Sequence, residues 1–266
     1  MKHAYTDEKN ILILIALLKA HGIKKVIASP GTTNMTFIGS IMYDSWFEIY
    51  SCVDERSAAY MACGLAAESG EPVCLSCTGA TASRNYIPGL TEAYYRKLPI
   101  LALTATQHIG RVGQNVAQVI DRSSMQNDIL NYSCTLPFVN TEEDRWDCEL
   151  KINYAILTLS RNGGGPAHIN IQQNYSKNFS VEELPQVNKI QRYTYGDNFP
   201  EIPKGKIAIW IGNHKKMSEN QIKNIDAFCE QYDAVVFCDH TSGYYGKFKL
   251  NAAITEQQLQ NTKEVP

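Results

Sequence analysis

The chain has 266 residues, enough for one large domain or two smaller ones, and 44% hydrophobic against 20% charged residues predict a packed core. A formal net charge of -2, with no basic stripe or acidic tail, argues against nucleic acid, a membrane surface or a polyanion as partner. The N-terminus MKHAYTDEKN is polar and unlike a secretory signal, and the apolar stretch Ile11 to Ala20 covers half a membrane crossing, so a cytoplasmic protein is expected.

Ile11, Ile15 and Leu18 recur at helical spacing and stop at His21-Gly22. KKVIAS reads as a buried strand closed by Pro30-Gly31, and a helix follows over about 34–43. FEIYSCV is a strand, ERSAAYMACGLAAES a helix ended by Gly70, and PVCLSCT a strand. The stretch 83–96 reads as one helix and PILALTAT as a strand. Further helices are expected near 122–128 and 142–160, with strands near 134–139 and at AHINI. Strands alternating with helices predict an α/β fold, a mainly parallel sheet flanked by helices on both faces, ending near residue 175. Residues 176–203 are polar and read as a linker. KIAIWIG, MSENQIKNIDAFCEQYD and AVVFCDH then begin a second α/β unit over 204–266. Two parallel strands cannot bury their faces, so that unit is expected to be incomplete.

VDERSAAYMACGLA is the most informative segment. Asp54 stands where an N-cap belongs, and Glu55 falls in the first turn, at the positive end of the helix dipole. Ala58, Met61, Ala62 and Leu65 line one face at i, i+3, i+4, i+7. Capping and the dipole account for both acids; the run of small residues also permits close approach of a backbone or a ligand. The turns SPGTTN and CTGATASRN each follow a strand, where parallel sheets bind ligands beyond the carboxyl ends. Thr32, Thr33 and Asn34 can cap a helix or bind, and Thr78, Gly79 and Thr81 can approach a cofactor, although the phosphate-loop lysine and glycine spacing are missing.

The eight cysteines are expected to be reduced and mostly buried in a chain of this size. Cys74 and Cys77 spell C-x-x-C inside a predicted strand, where i and i+3 face opposite sides, so they read as core. His108, in a polar loop, is a candidate acid or base; His168, inside a strand, reads as a core residue. No His and carboxylate cluster has metal-ligand spacing.

In order along the chain, GIKKVIASPGTTN, DERSAAYMACGLAAESGEPVCLSCTG, NYIPGLTEAYYRKLPILALTAT, GQNVAQ and GGGPAHINI resemble thiamine diphosphate-dependent decarboxylases and carboligases such as acetolactate synthase. They are most similar to the menaquinone-pathway synthases that join a decarboxylated 2-oxoglutarate to isochorismate. Five ordered segments from about residue 8 to 174 are far more specific than any one of them. The resemblance implies a thiamine diphosphate-binding fold, with 1–175 as the pyrimidine-binding domain and 204–266 as the start of a central domain.

The resemblance carries Glu55 onto the family's cofactor-activating glutamate. A carboxylate hydrogen-bonded to the pyrimidine N1′ favours the imino tautomer, whose 4′-nitrogen takes the C2 proton. It also implies that Pro30, Gly31, Thr32, Thr78, Gly79 and Asn85 meet the cofactor, and that Thr32, Thr33, His108, Asn115 and Gln118 meet a small 2-oxo acid. In these families the cofactor lies between two domains, usually of different subunits. A homodimer, or a hetero-assembly with a diphosphate-binding chain, is therefore implied. Magnesium and diphosphate are held by a second domain marked by Gly-Asp-Gly, which occurs nowhere in 1–266. The chain is thus expected to cover about the first half of such an enzyme, to hold no metal and to be inactive alone. Two departures stand out: Thr32-Thr33 replaces the synthases' Ser-Arg, removing a bidentate carboxylate partner, and the CTGATASRN turn is one residue longer. A non-catalytic module keeping only the fold and dimer interface is the competing reading.

Overall fold

Strands and helices alternate along almost the whole first part of the chain, as the apolar runs and caps dictate. In chain order the elements are β1 (Tyr5–Thr6), α1 (Lys9–Ala20), β2 (Lys25–Ala28), α2 (Met35–Ile41), β3 (Glu48–Ser51) and α3 (Glu55–Ser69). Then come β4 (Val73–Cys77), α4 (Thr81–Arg84), α5 (Ile87–Arg96), β5 (Ile100–Thr106), β6 (Tyr132–Leu136), α6 (Glu142–Thr158), β7 (Ala167–Gln172) and β8 (Phe179–Val181). The structure, a computed structural model, describes residues 4–202 and 204–251. The chain divides into two units between Thr194 and Tyr195. Among the described residues no helix is long and apolar enough to cross a membrane.

The first unit is built on a six-stranded, all-parallel sheet of order β3-β2-β4-β5-β7-β6. Successive side chains of β4 and β5 enter different cores. Val73, Leu75, Cys77, Ile100 and Ala102 pack with α3 and α5, while Cys74, Leu101 and Leu103 pack with α1 and α6. Both strands are buried throughout, which is why they read as continuous apolar runs rather than alternating ones. Cys74 and Cys77 do face opposite sides, and burial pushes the Cys77 thiol up to about 12.

α3 begins at Glu55 and ends at Gly70 in the left-handed conformation. Its buried stripe is Ala58, Ala59, Ala62, Cys63 and Ala66, one position away from the expected one; Met61 is exposed. The small side chains win the inner face because α5 lies against them: a Cβ on Gly89 would sit 2.5 Å from that of Ala59.

Three further expectations change. The helix expected over 83–96 breaks at Asn85 and Tyr86, and Pro88 sits in the first turn of α5, where its missing N–H costs nothing. No helix forms at 122–128. There Asp121 Oδ1 accepts from Ser123 N at 2.8 Å, a local bond that competes with helix, and Arg122 turns inward. The stretch expected to be a linker is partly docked on the first unit. β8 pairs antiparallel with β1, and Asn188 N and Nδ2 donate to Glu149 Oε2 of α6 at 3.3 and 2.9 Å.

The second unit contains β9 (Ile207–Ile211), α7 (Glu219–Tyr232), β10 (Ala234–Cys238) and β11 (Lys249–Asn251), in a parallel sheet of order β11-β10-β9. The third strand was not expected from sequence. Its partner-facing run is only three residues, too short for a periodic signal. α7 is capped by Ser218, whose Oγ accepts from Gln221 N.

Candidate cofactor and substrate site

From β2 the chain moves outward to β3, then returns across β2 to β4 and on to β5. The strand order therefore reverses at β2 and β4, and the crevice beyond the carboxyl ends of strands at such a reversal is where sheets of this kind bind ligands. The SPGTTN and CTGATA turns flank it. Asn34 braces the first turn: its Oδ1 accepts from Gly31 N at 2.8 Å, and its Nδ2 donates to Ser29 O and Ser76 Oγ, each at 3.2 Å. Thr33 Oγ1 accepts from Gly79 N at 3.0 Å, joining the two turns. A Cβ on Gly31 would fall 2.0 Å from Thr78 Cγ2, so glycine is required there by the protein's own packing. Thr33 is buried, its hydroxyl spent internally, while Thr32 and Pro30 are exposed.

Glu55 lies one strand away, past the end of β3. Asp54 Oδ1 accepts from Ser57 N at 2.7 Å, so the cap is supplied by Asp54. Among the described residues the partly exposed Glu55 carboxylate makes no hydrogen bond and no ion pair. Beneath this ledge, the Ser29 hydroxyl donates to Cys52 O at 2.7 Å, and the Tyr86 hydroxyl faces Ser29 and Cys77 with hydrogen-bond geometry to neither. Tyr86 is fully buried, and its oxygen is the one buried side-chain polar atom among the described residues without a partner. Burial pushes its phenol well up, and the neighbouring Cys77 and the Glu55 charge act in the same direction. A free carboxylate beside an orphaned buried hydroxyl is an incomplete polar site, of the kind a ligand completes.

The turn between β4 and α4 is strained. Ala80 adopts φ 54, ψ -134, a conformation costing about 1–3 kcal/mol for a residue with a Cβ. It is held from below. Arg122, 3% exposed, donates from Nη2 to Ala105 O at 2.7 Å, from Nη1 to Ser83 Oγ at 3.2 Å and from Nε to Asn170 Oδ1 at 3.2 Å. Ser83 Oγ in turn donates to Ala80 O at 2.6 Å. No acid pairs with Arg122 among the described residues; burial lowers it to about 10, which leaves it a cation at neutral pH. Thr104 extends the network, bonding Asn170 Oδ1 at 3.1 Å and His168 Nε2 at 2.7 Å, while His168 Nδ1 meets Ser133 Oγ at 2.9 Å. Burial, aided by Arg122, pushes His168 down to about 3, so it is a neutral core residue.

Beyond β5 and β7 lies a cavity of about 570 Å³ lined in part by His108, Arg111, Phe138 and Gln173. The His108 ring stacks on Phe138 at 6.2 Å and 7°, and its Nδ1 accepts from Gly110 N at 3.0 Å. Gln173 Nε2 donates to Thr33 O at 2.6 Å, tying the cavity to the SPGTTN turn. Asn115 and Gln118 are exposed at φ 57 and 62; the carbonyl of Gln118 abuts Gly79, whose added Cβ would lie 3.1 Å away. Asn85 is exposed at the break between α4 and α5. The turns around Gly31, Thr33, Thr78 and Gly79 are thus brought together with the Gln118 backbone.

Comparison with known proteins places the domain that carries these turns. Residues 12–125 match the family described as "Thiamine pyrophosphate enzyme, N-terminal TPP binding domain". The chain carries the N-terminal domain of a thiamine pyrophosphate enzyme. Two curated relatives are 2-succinyl-5-enolpyruvyl-6-hydroxy-3-cyclohexene-1-carboxylate synthases. That of Bacteroides thetaiotaomicron is 40% identical over 190 residues, 71% of this chain and 34% of the relative. That of Bacteroides fragilis is 38% identical over 235 residues, 88% of this chain and 42% of the relative. The chain thus spans well under half the length of either. The solved thiamine diphosphate-dependent 4-hydroxybenzoylformate decarboxylase of Rhodococcus jostii shares the fold, with TM-score 0.56, 18% identity and coverage of 86% of this chain and 44% of that one.

Within this thiamine pyrophosphate enzyme domain, Arg122, Tyr86 and Gln173 stand at or beneath the turns of the candidate site, and sequence reasoning did not single them out. Arg122 sits in a polar run with no periodic signal. Gln172-Gln173, by contrast, follow directly on the buried strand AHINI, and two amides there are a usable sign of a polar site at a strand end.

Proposed function

We propose that this chain is the pyrimidine-binding half of a thiamine diphosphate-dependent enzyme that decarboxylates a 2-oxo acid and joins the product to an acceptor, with Glu55 as its cofactor-activating residue. The observation that carries the reading is the division of labour at the start of α3: Asp54 caps the helix, and the adjacent Glu55 carboxylate is left without a partner at the crevice. The residues fit the group. Thiamine diphosphate, when bound, supplies the acidic carbon that adds to a 2-oxo acid and stabilises the carbanion left by decarboxylation. Glu55 would accept the hydrogen bond of the pyrimidine N1′ and hold the proton there, so that the ring's amino group could supply an internal base. Exposed Pro30 and Thr32, with Gly31, Thr78, Gly79 and Asn85, line the cofactor; Thr32, His108, Asn115 and Gln118 meet the substrate, and Thr33 contributes through its bond to Gly79. Magnesium and diphosphate are held by a region that follows in a longer chain or by a partner chain, in a homodimer or hetero-assembly within the cytoplasm. The relatives' named reaction makes a similar carboligation the favoured one.

The test is C2 hydrogen–deuterium exchange of bound thiamine diphosphate, quenched in acid and read by NMR, on this chain joined to a diphosphate-binding region. Wild type should exchange far faster than Glu55→Gln; equal rates would remove Glu55 from the chemistry. The 266-residue chain alone, given thiamine diphosphate and magnesium, should release no carbon dioxide from 2-oxo acids.

A further inference from the structure

The strained turn after β4 has a shape that its own sequence opposes. Ala80 stands at φ 54, ψ -134, where glycine is favoured, and no side chain caps α4. Strain at such a position persists only when the surroundings over-determine it. Here Thr33 Oγ1 holds Gly79 N, and one relay reaches Ala80 itself: Asn170 and Ala105 O fix the Arg122 guanidinium to β7 and β5, Arg122 Nη1 donates to Ser83 Oγ, and Ser83 Oγ donates to Ala80 O. The relay uses three separate nitrogens of one planar group, which neither lysine nor methionine can reproduce. Burying a cation with only neutral acceptors is costly, and nothing in the core requires a charge there. The same turn presents Gly79, packed between Ala105 O and Gln118 O, and Thr78, packed on Gly31.

We infer that Arg122 is a positioning residue: acting through Ser83, it holds the Ala80 turn, and with it Thr78 and Gly79, in the shape that receives the cofactor. The inference rests on the proposed function for its ligand, but the relay itself can be tested without one.

Three variants decide it: Arg122→Met, Ser83→Ala, which breaks the relay while keeping the buried cation, and Ala80→Gly, which relieves the strain. Amide hydrogen exchange over residues 78–85 of the chain itself reads the clamp. Arg122→Met and Ser83→Ala should each speed exchange there at least about tenfold, with the exchange of β5 and β7 unchanged for Ser83→Ala. Adding Ala80→Gly to Ser83→Ala should recover most of the protection. In the completed enzyme, Ser83→Ala should raise the KM for thiamine diphosphate about tenfold and leave kcat at saturating cofactor within a factor of about two, and Ala80→Gly should reverse the change. Unaltered exchange in Ser83→Ala overturns the clamp. Faster exchange with an unchanged cofactor KM overturns the positioning role and leaves Arg122 a structural residue. Neither outcome touches Glu55, whose own C2 exchange experiment decides the functional reading separately.

Discussion

The junction between β3 and α3 is ordered by its own residues, whereas that between β4 and α4 is ordered by Arg122, 39 positions beyond Ser83 in the chain. At the first, Asp54 in extended geometry accepts from Ser57 N, the backbone is relaxed, and the next side chain is free to serve a ligand. At the second no side chain caps the helix, Ala80 is strained, and glycine at 79 lets the turn pack closely on the Ala105 and Gln118 carbonyls. The difference teaches how two turns with the same place in a parallel sheet divide work. A self-capped turn can spend its side chains on chemistry, while a turn that offers backbone must borrow its rigidity from the sheet beneath it.

The contrast can be broken first at Glu55. Glu55→Gln should slow C2 exchange by ~10²–10⁴-fold in the completed enzyme and barely move the thermal midpoint. Asp54→Ala should do the reverse, lowering the midpoint while exchange stays nearly intact, because the cap and the acid are different residues. Failure of this reversal would mean that the two acids share one task.

The second junction should show itself in acid. His168, at the foot of the Arg122 network, is held down to about 3 from its ordinary value of 6.5. The unfolded chain therefore binds the extra proton first, and stability falls as pH drops from about 6.5 towards 3. The slope from this one group is at most ~1.4 kcal/mol per pH unit. Urea unfolding across that range should show the slope, and His168→Gln, which keeps a donor and an acceptor but does not titrate, should flatten it.

Glycine substitutions give smaller effects of opposite sign in the second turn and along α3. Gly79→Ala places a Cβ 2.6 Å from the Ala105 carbonyl, an overpacking that should cost ~1–3 kcal/mol in thermal unfolding. Gly64→Ala, on the outer face of α3 with nothing within 4 Å, should stabilise by ~0.5–1 kcal/mol.

The sheet was largely legible in the sequence because its strands are buried on both faces, so β2, β4, β5 and β7 stand out as apolar runs between turn residues. α3 was legible at both ends because Asp54 and Gly70 act locally. What escaped depends on partners distant in sequence. The partners of Arg122 are scattered over three elements, and nothing in VIDRSSM distinguishes an inward arginine from a solvated one. The register of α3 escaped for a different reason: in a run of alanines, faces one position apart look alike, and only Gly89 of α5 decides between them. β8 hid in a polar stretch because its three residues gain order from β1 rather than from their own pattern.

That last pairing has a consequence for biosynthesis. Beyond its bonds to Ser40 and Asp44, the N-terminal segment is anchored near the far end of the first unit: Thr6 with Phe179, Asp7 N with Asn178 O, Glu8 with the amides of Asn174 and Ser176, and Asn10 with Gln172 O. At ~5–20 residues per second, the ribosome delivers those partners on the order of 10–35 s after the segment itself. Until then β1 is an unpaired strand edge at the head of a nascent chain, open to capture by chaperones or by other nascent chains, and the first unit can close only after nearly all of it has been made.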